Sequence, residues 1–172
     1  MSANASIKPP VSPAGEFRQD GTFRALIHTF GLLRRVMEPF FAQFGISGSQ
    51  WGVLRVLHRA EQDRHEWLRL TDLGNRLIVR PPSITGVVDR LQRMGLLERT
   101  SLPDDRRAKR VSLTQRGRDK VNEVLAAMPD HTSSIVDVLP PADRERLQSL
   151  LETLGTRLQT LADRHETMSK DK

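Results

Sequence analysis

Apolar residues recur at three- and four-residue steps from Phe23 through Leu26, Ile27, Phe30, Leu33, Met37, Phe40, Phe41 and Phe44. That spacing keeps them on one side of an α-helix and predicts a long amphipathic helix. Pro39 is expected to kink or break it near residues 35–38, because proline removes an interior hydrogen bond and restricts Glu38. Gly45 is a reasonable stop. The stretch "SGSQWGVLRVLHRA" reads as a second helix, with Ser47 or Ser49 as N-cap and Trp51, Val53, Leu54 and Leu57 on its apolar side. After a charged loop, Trp67-Leu68-Arg69 suits a short strand, with Trp67 in its core.

Two closely spaced helical patterns follow. "TDLGNRL" offers Thr71 as N-cap, with Leu73 and Leu77 one turn apart. "PPSITGVVDRLQRMG" opens on proline, where a missing N–H is harmless. It is expected to bury Ile84, Val87, Val88, Leu91 and Met94 and to stop at Gly95. Only Ile78 to Pro81 separate the two, a helix-turn-helix spacing. Leu96–Ser101, a Pro-Asp-Asp turn and Ala108–Leu113 then read as a hairpin with a basic tip. Helix, turn, helix, hairpin is the winged-helix order. Downstream, "TQRGRDKVNEVLAAM" resumes a helical pattern that Pro129 is expected to interrupt. Pro140-Pro141 opens a last helix whose Leu147, Leu150, Leu151, Leu154, Leu158 and Leu161 keep a near-heptad seam.

The fold class expected is mainly α with a small β-hairpin wing: a winged helix-turn-helix domain over residues 47–115 and a helical dimerisation domain from 17–46 and 116–165. The first and last helices carry more apolar stripe than a small winged-helix core covers. This favours a homodimer over packing within one chain. Residues 1–16 are polar and proline-rich and read as a loose arm rather than a secretory signal, and 166–172 as a flexible charged tail.

Charge sharpens this picture. Residues 76–120 hold twelve basic and five acidic side chains, +7 in 45 residues, whereas the rest of the chain is near −1. A solubilising face spreads its charge, so the concentration favours a nucleic-acid partner. No apolar run approaches the roughly 20 residues of a membrane span, and no membrane partner is expected. The absence of cysteine rules out disulfides and thiolate metal sites and fits a cytoplasmic protein.

On "GISGSQWGVLRVL", "LRLTDLGNRLIVRPPSITGVVDRLQRMGLLERT" and above all "DDRRAKRVSLTQRG", the chain resembles the MarR family of bacterial transcription regulators over about residues 20–165. The resemblance implies a homodimer with interleaved terminal helices, binding a palindromic operator on double-stranded DNA as a regulator, usually a repressor. Many such proteins release DNA on binding a small aromatic molecule. It also implies that Asp105 orients Arg107 for the minor groove. A narrow minor groove attracts guanidinium, and a carboxylate that holds the fork in advance lowers the entropic cost of insertion. On the second helix of the pair, Arg80, Pro82, Ser83, Thr85, Gly86 and Arg90 would face the major groove. Arg106, Lys109 and Arg110 would serve phosphates, and Arg76 is counted among the DNA-binding residues. Gly86 departs from the family, which often has a long polar side chain there. It is the one support for an alternative, a dimeric winged-helix adaptor without operator reading.

Other chemistry finds little purchase. The five histidines are scattered, "HEWLR" lacks the second histidine of a zinc-protease helix, and no metal or cofactor is expected. No nucleophile–base constellation is present, so the chain is not read as an enzyme. Phe40, Phe44, Trp51 and His58 are candidates for an effector pocket where the terminal helices meet the winged helix; plain hydrophobic packing is the competing interpretation.

Overall fold

The computed structural model describes residues 16–77, 83–101 and 109–170. Its elements are α1 (Glu16–Gln43), α2 (Gly48–Gln62), β1 (Leu68–Arg69), α3 (Leu70–Arg76), α4 (Ile84–Arg93), β2 (Leu97–Ser101), β3 (Lys109–Leu113), α5 (Gln115–Val136) and α6 (Pro141–Lys170). The chain divides into two compact units, Met1–Val124 and Leu125–Lys172.

The first unit is built on α2. Ser47 accepts from the Gln50 amide while the Gln50 side chain accepts from the Ser47 amide, a capping box that closes two of the helix's orphan donors. One side of α2 buries Val53, Leu54 and Leu57. Around it close Leu73 of α3, Val88 and Leu91 of α4, Leu96, and Val111 and Leu113 of β3, all under 2 % exposed. The three strands form an antiparallel sheet in the order β1-β3-β2. Leu68 lies opposite Val111, and Leu97 opposite Leu113, so alternate residues turn inward and the rest outward.

One junction has no room for a side chain. Thr114 donates from its hydroxyl to the Gly95 carbonyl (2.7 Å) and accepts from the Gly117 amide (3.0 Å), capping α5 against the end of α4. A Cβ on Gly117 would stand 2.1 Å from the Leu96 carbonyl oxygen. Only glycine allows that approach.

Several expectations need correction. Pro39 does not break α1, which runs through it to Gln43. An interior proline costs about 3 kcal/mol. The next two residues, Phe40 and Phe41, are buried, and each such ring contributes about 1.5–3 kcal/mol. Pro129 likewise lies inside α5, on an exposed position where water can take the freed carbonyl. Thr71 is not the cap of α3. Arg69 is, in extended conformation, because β1 pairs Arg69 with Arg110 and hands directly into the helix. Trp67 is not strand core: Leu68 faces inward, and Trp67 is left 36 % exposed. Of the apolar side expected for α4, Val88 and Leu91 are buried, while Ile84, Val87 and Met94 are half-buried. The tail expected from 166 is helical through Lys170, since each added residue of an existing helix gains a bond at little further cost.

Away from Phe40 and Phe41, the stripe of α1 is open: Phe23, Ile27, Phe30 and Leu33 are all exposed. In the second unit, Leu147, Leu150, Leu151, Leu154 and Leu158 of α6 are exposed as well. No helix among the described residues is long and apolar enough to cross a membrane.

Candidate nucleic-acid interface

Helix α4 begins at Ser83, whose backbone is extended and whose hydroxyl accepts from the Gly86 amide at 3.1 Å. This cap was invisible to a reading that looked to proline for the helix start, although Ser-x-x-Gly was there to be seen. A Cβ at Gly86 would lie 3.3 Å from the Ser83 hydroxyl. The Gly86 amide serves the cap, a role that any residue other than proline could fill. With Val88 and Leu91 turned inward, Ser83, Thr85 and Arg90 remain exposed.

Two contacts fix how α4 is held. Gln50 of α2, itself 6 % exposed, donates to the Met94 sulfur at 3.4 Å. Asp89 pairs with Arg99 of β2, joining α4 to the base of the hairpin. In the sequence both residues register only as charge. Their separation of ten positions across two elements leaves no periodic signal.

The hairpin pairs Glu98 with Ser112, Thr100 with Arg110 and Ser101 with Lys109. Lys109 donates to the Ser101 hydroxyl at 2.7 Å. Arg110 donates to the Thr100 hydroxyl, with its guanidinium 6.0 Å from the Trp67 ring centre. Both cations that were expected to serve phosphates thus lean on hydroxyls of β2. Nearby, Arg118 forms a two-pronged pair with Glu61 (2.8 and 3.0 Å), and that hydrogen bonding raises its already high pKa. Arg76 is exposed in the last turn of α3. Arg80, Pro82, Asp105, Arg106 and Arg107 lie outside the described residues.

Among the effector candidates, Phe40 is buried and meets Phe41 and Phe44 edge-on, with centroids at 5.5 and 5.2 Å. Phe41, which the sequence analysis left out of this set, stacks on Trp51 at 5.7 Å. These four rings form one cluster at the α1–α2 corner. His58 makes none of these ring contacts and has its Nδ1 3.3 Å from the Arg55 guanidinium. Among the described residues, no three of His, Cys, Asp and Glu gather in a way that could hold a metal ion.

Comparison with known proteins agrees with this architecture. Residues 44–108 match the family model described as MarR family. The regulator FarR of Neisseria gonorrhoeae is 30% identical over 130 residues, covering 76% of this chain and 86% of its own. The repressor YetL of Bacillus subtilis is 29% identical over 140 residues, covering 81% and 80%. Among solved structures, a variant of Escherichia coli MarR complexed with operator DNA aligns with a TM-score of 0.68 at 23% identity, covering 80% of this chain and 96% of that one. The Staphylococcus aureus MepR–DNA complex aligns at 0.63 and 22%, covering 80% and 96%.

Proposed function

Because the chain belongs to the MarR family of transcriptional regulators, we propose that it binds a palindromic operator as a homodimer and acts as a repressor, in the cytoplasm. The observation that carries this reading is the exposed face of α4, Ser83, Thr85 and Arg90, held by the Asp89–Arg99 pair beside a basic hairpin. Two such helices about a two-fold axis would read half-sites about one DNA turn apart. The exposed apolar sides of α1 and α6 support the second copy, since faces of this size left in water favour association. In the related MarR and MepR structures the partner is DNA.

An effector, in this reading, is a small aromatic molecule that enters beside Phe44 and Trp51, which are half-buried rather than sealed. It would act by binding better to a dimer whose helix spacing no longer fits the groove.

The test is a gel shift on DNA from upstream of the chain's own reading frame against random duplex, with a salt titration, alongside sedimentation. Preference for the upstream duplex, steep salt dependence and a dimeric mass are expected. Binding with neither preference nor salt dependence favours the adaptor, and a monomer bound to DNA removes the two-fold geometry. Arg107→Ala should weaken binding more than Arg110→Ala, whose side chain already rests on Thr100 and Trp67.

A further inference from the structure

Three of the helices end in the same backbone motif. After α1, the Gly45 and Ile46 amides donate back to Ala42 and Phe41. After α4, Gly95 and Leu96 donate to Gln92 and Leu91. After α2, Arg64 and His65 donate to Glu61 and Ala60, at 3.0 and 2.8 Å. This closure requires a left-handed residue just beyond the helix, and glycine fills it without steric cost. Gly45 and Gly95 do so, with φ of 71° and 70°. At the third turn the residue is Arg64, with φ of 64°, the sole non-glycine in that region among the described residues. A side chain is kept where the backbone disfavours one. Strain of this kind persists where the side chain is used.

Arg64 lines a groove with Arg69 and Arg76. Arg69 caps α3 and Arg76 is in its last turn, seven residues on, so the two lie on one side of the helix about 10 Å apart along its axis. All three arginines are exposed. Among the described residues none of the three guanidinium groups has a hydrogen bond or ion pair, although Asp72 and Glu66 line the same groove. Arg99, Arg118 and Arg144 each hold a carboxylate. The groove adjoins the interface at both ends: Arg69 is the cross-strand partner of Arg110, and Arg76 ends the first helix of the helix-turn-helix.

We propose that Arg64, Arg69 and Arg76 form a phosphate-gripping ledge that extends the DNA contact beyond the reading helix and the wing, with Arg64 retained at a conformationally costly turn for that contact. The proposal rests on the regulator reading above. Three unpaired guanidinium groups in one groove suit the sugar–phosphate backbone, whose charges are regularly spaced and carry no sequence information. A residue kept only for solubility would not need the one position where asparagine or glycine is easier to hold.

The test uses the full chain, with Arg64→Gly, Arg64→Asn, Arg69→Ala and Arg76→Ala, and fluorescence anisotropy on a random-sequence duplex and on the upstream duplex across a salt series. Each variant is expected to flatten the slope of log K against log salt by about 0.9. It should weaken both duplexes by the same factor, leaving their ratio unchanged. Arg64→Gly should at the same time raise the thermal midpoint, which separates lost contact from lost fold. Wild-type slope and affinity in the Arg64 and Arg69 variants, with Arg107→Ala still impaired, overturn the ledge alone. A wild-type chain that shows no salt-dependent duplex binding overturns the regulator reading and the ledge with it. If inorganic phosphate stabilises the wild type but not Arg64→Asn while the DNA slopes match, the groove holds a free anion and the ledge is wrong.

Discussion

Leucine at helical spacing occupies both the centre of the winged helix and the length of α6, with opposite results. Leu54, Leu57, Leu73 and Leu91 are under 3 % exposed, whereas Leu147, Leu150, Leu151, Leu154 and Leu158 range from 37 % to 60 %. Period and residue type are the same. What differs is that α2 is surrounded by α3, α4 and the sheet within a single chain, and α6 is not. Hydrophobic periodicity therefore reports which side of a helix avoids water, and says nothing about what covers it. The winged helix covers its leucines within one chain; the seam of α6 stays open to water.

The sharpest way to break that contrast is to attack the self-sufficient region where it has no slack. Gly117→Ala places a Cβ against the Leu96 carbonyl, a backbone atom that cannot turn aside. A loss above about 4 kcal/mol is expected. Urea denaturation checks it, and a midpoint near wild type would mean that α5 shifts freely against the end of α4. Next comes a paired comparison. Leu54→Ala should cost about 2–5 kcal/mol at any protein concentration. Leu150→Ala should cost under about 0.5 kcal/mol when the chain is dilute and monomeric, and more once copies associate, because association stabilises by mass action. Denaturation at several concentrations separates the two. Equal, concentration-independent losses would place Leu150 in an intramolecular core. The smallest effect is expected at the corner between α1 and α2, where Ser47→Ala removes one arm of the capping box and should cost about 1 kcal/mol. A thermal midpoint lower by about 2–4 °C is the corresponding reading.

Much of this molecule was legible because its signals are local. Three- and four-residue steps located the major helices, Gly45 and Gly95 marked the ends of α1 and α4, and the Pro-Asp-Asp turn between β-compatible runs marked the hairpin. The misses share a different physical character. Pro39 and Pro129 look like breaks when the lost hydrogen bond is weighed alone, and the burial of Phe40 and Phe41 is not visible from the proline. Trp67 is expected in the strand core, but a one-residue choice of register sets Leu68 inward in its place. Asp89 and Arg99 meet across two elements, and Phe41 joins Trp51 across the α1–α2 corner; neither pairing has a repeat to betray it. At Arg64 the usual clue was missing altogether, since the turn that glycine announces elsewhere is closed here by an arginine. The candidate interface was legible as a charge excess and a motif order. How Lys109, Arg110 and Ser83 are each held could be learned only from the fold.

The joint between α4 and α5 has a mechanical meaning. At Gly117 backbone rests on the Leu96 carbonyl, and the short Thr114 side chain is pinned between the Gly95 carbonyl and the Gly117 amide. Soft joints absorb rotation in flexible methylene groups, and this one has none to spare. A tilt of α4 must therefore carry the first turn of α5 along as a rigid lever, with the Leu96 carbonyl as its fulcrum.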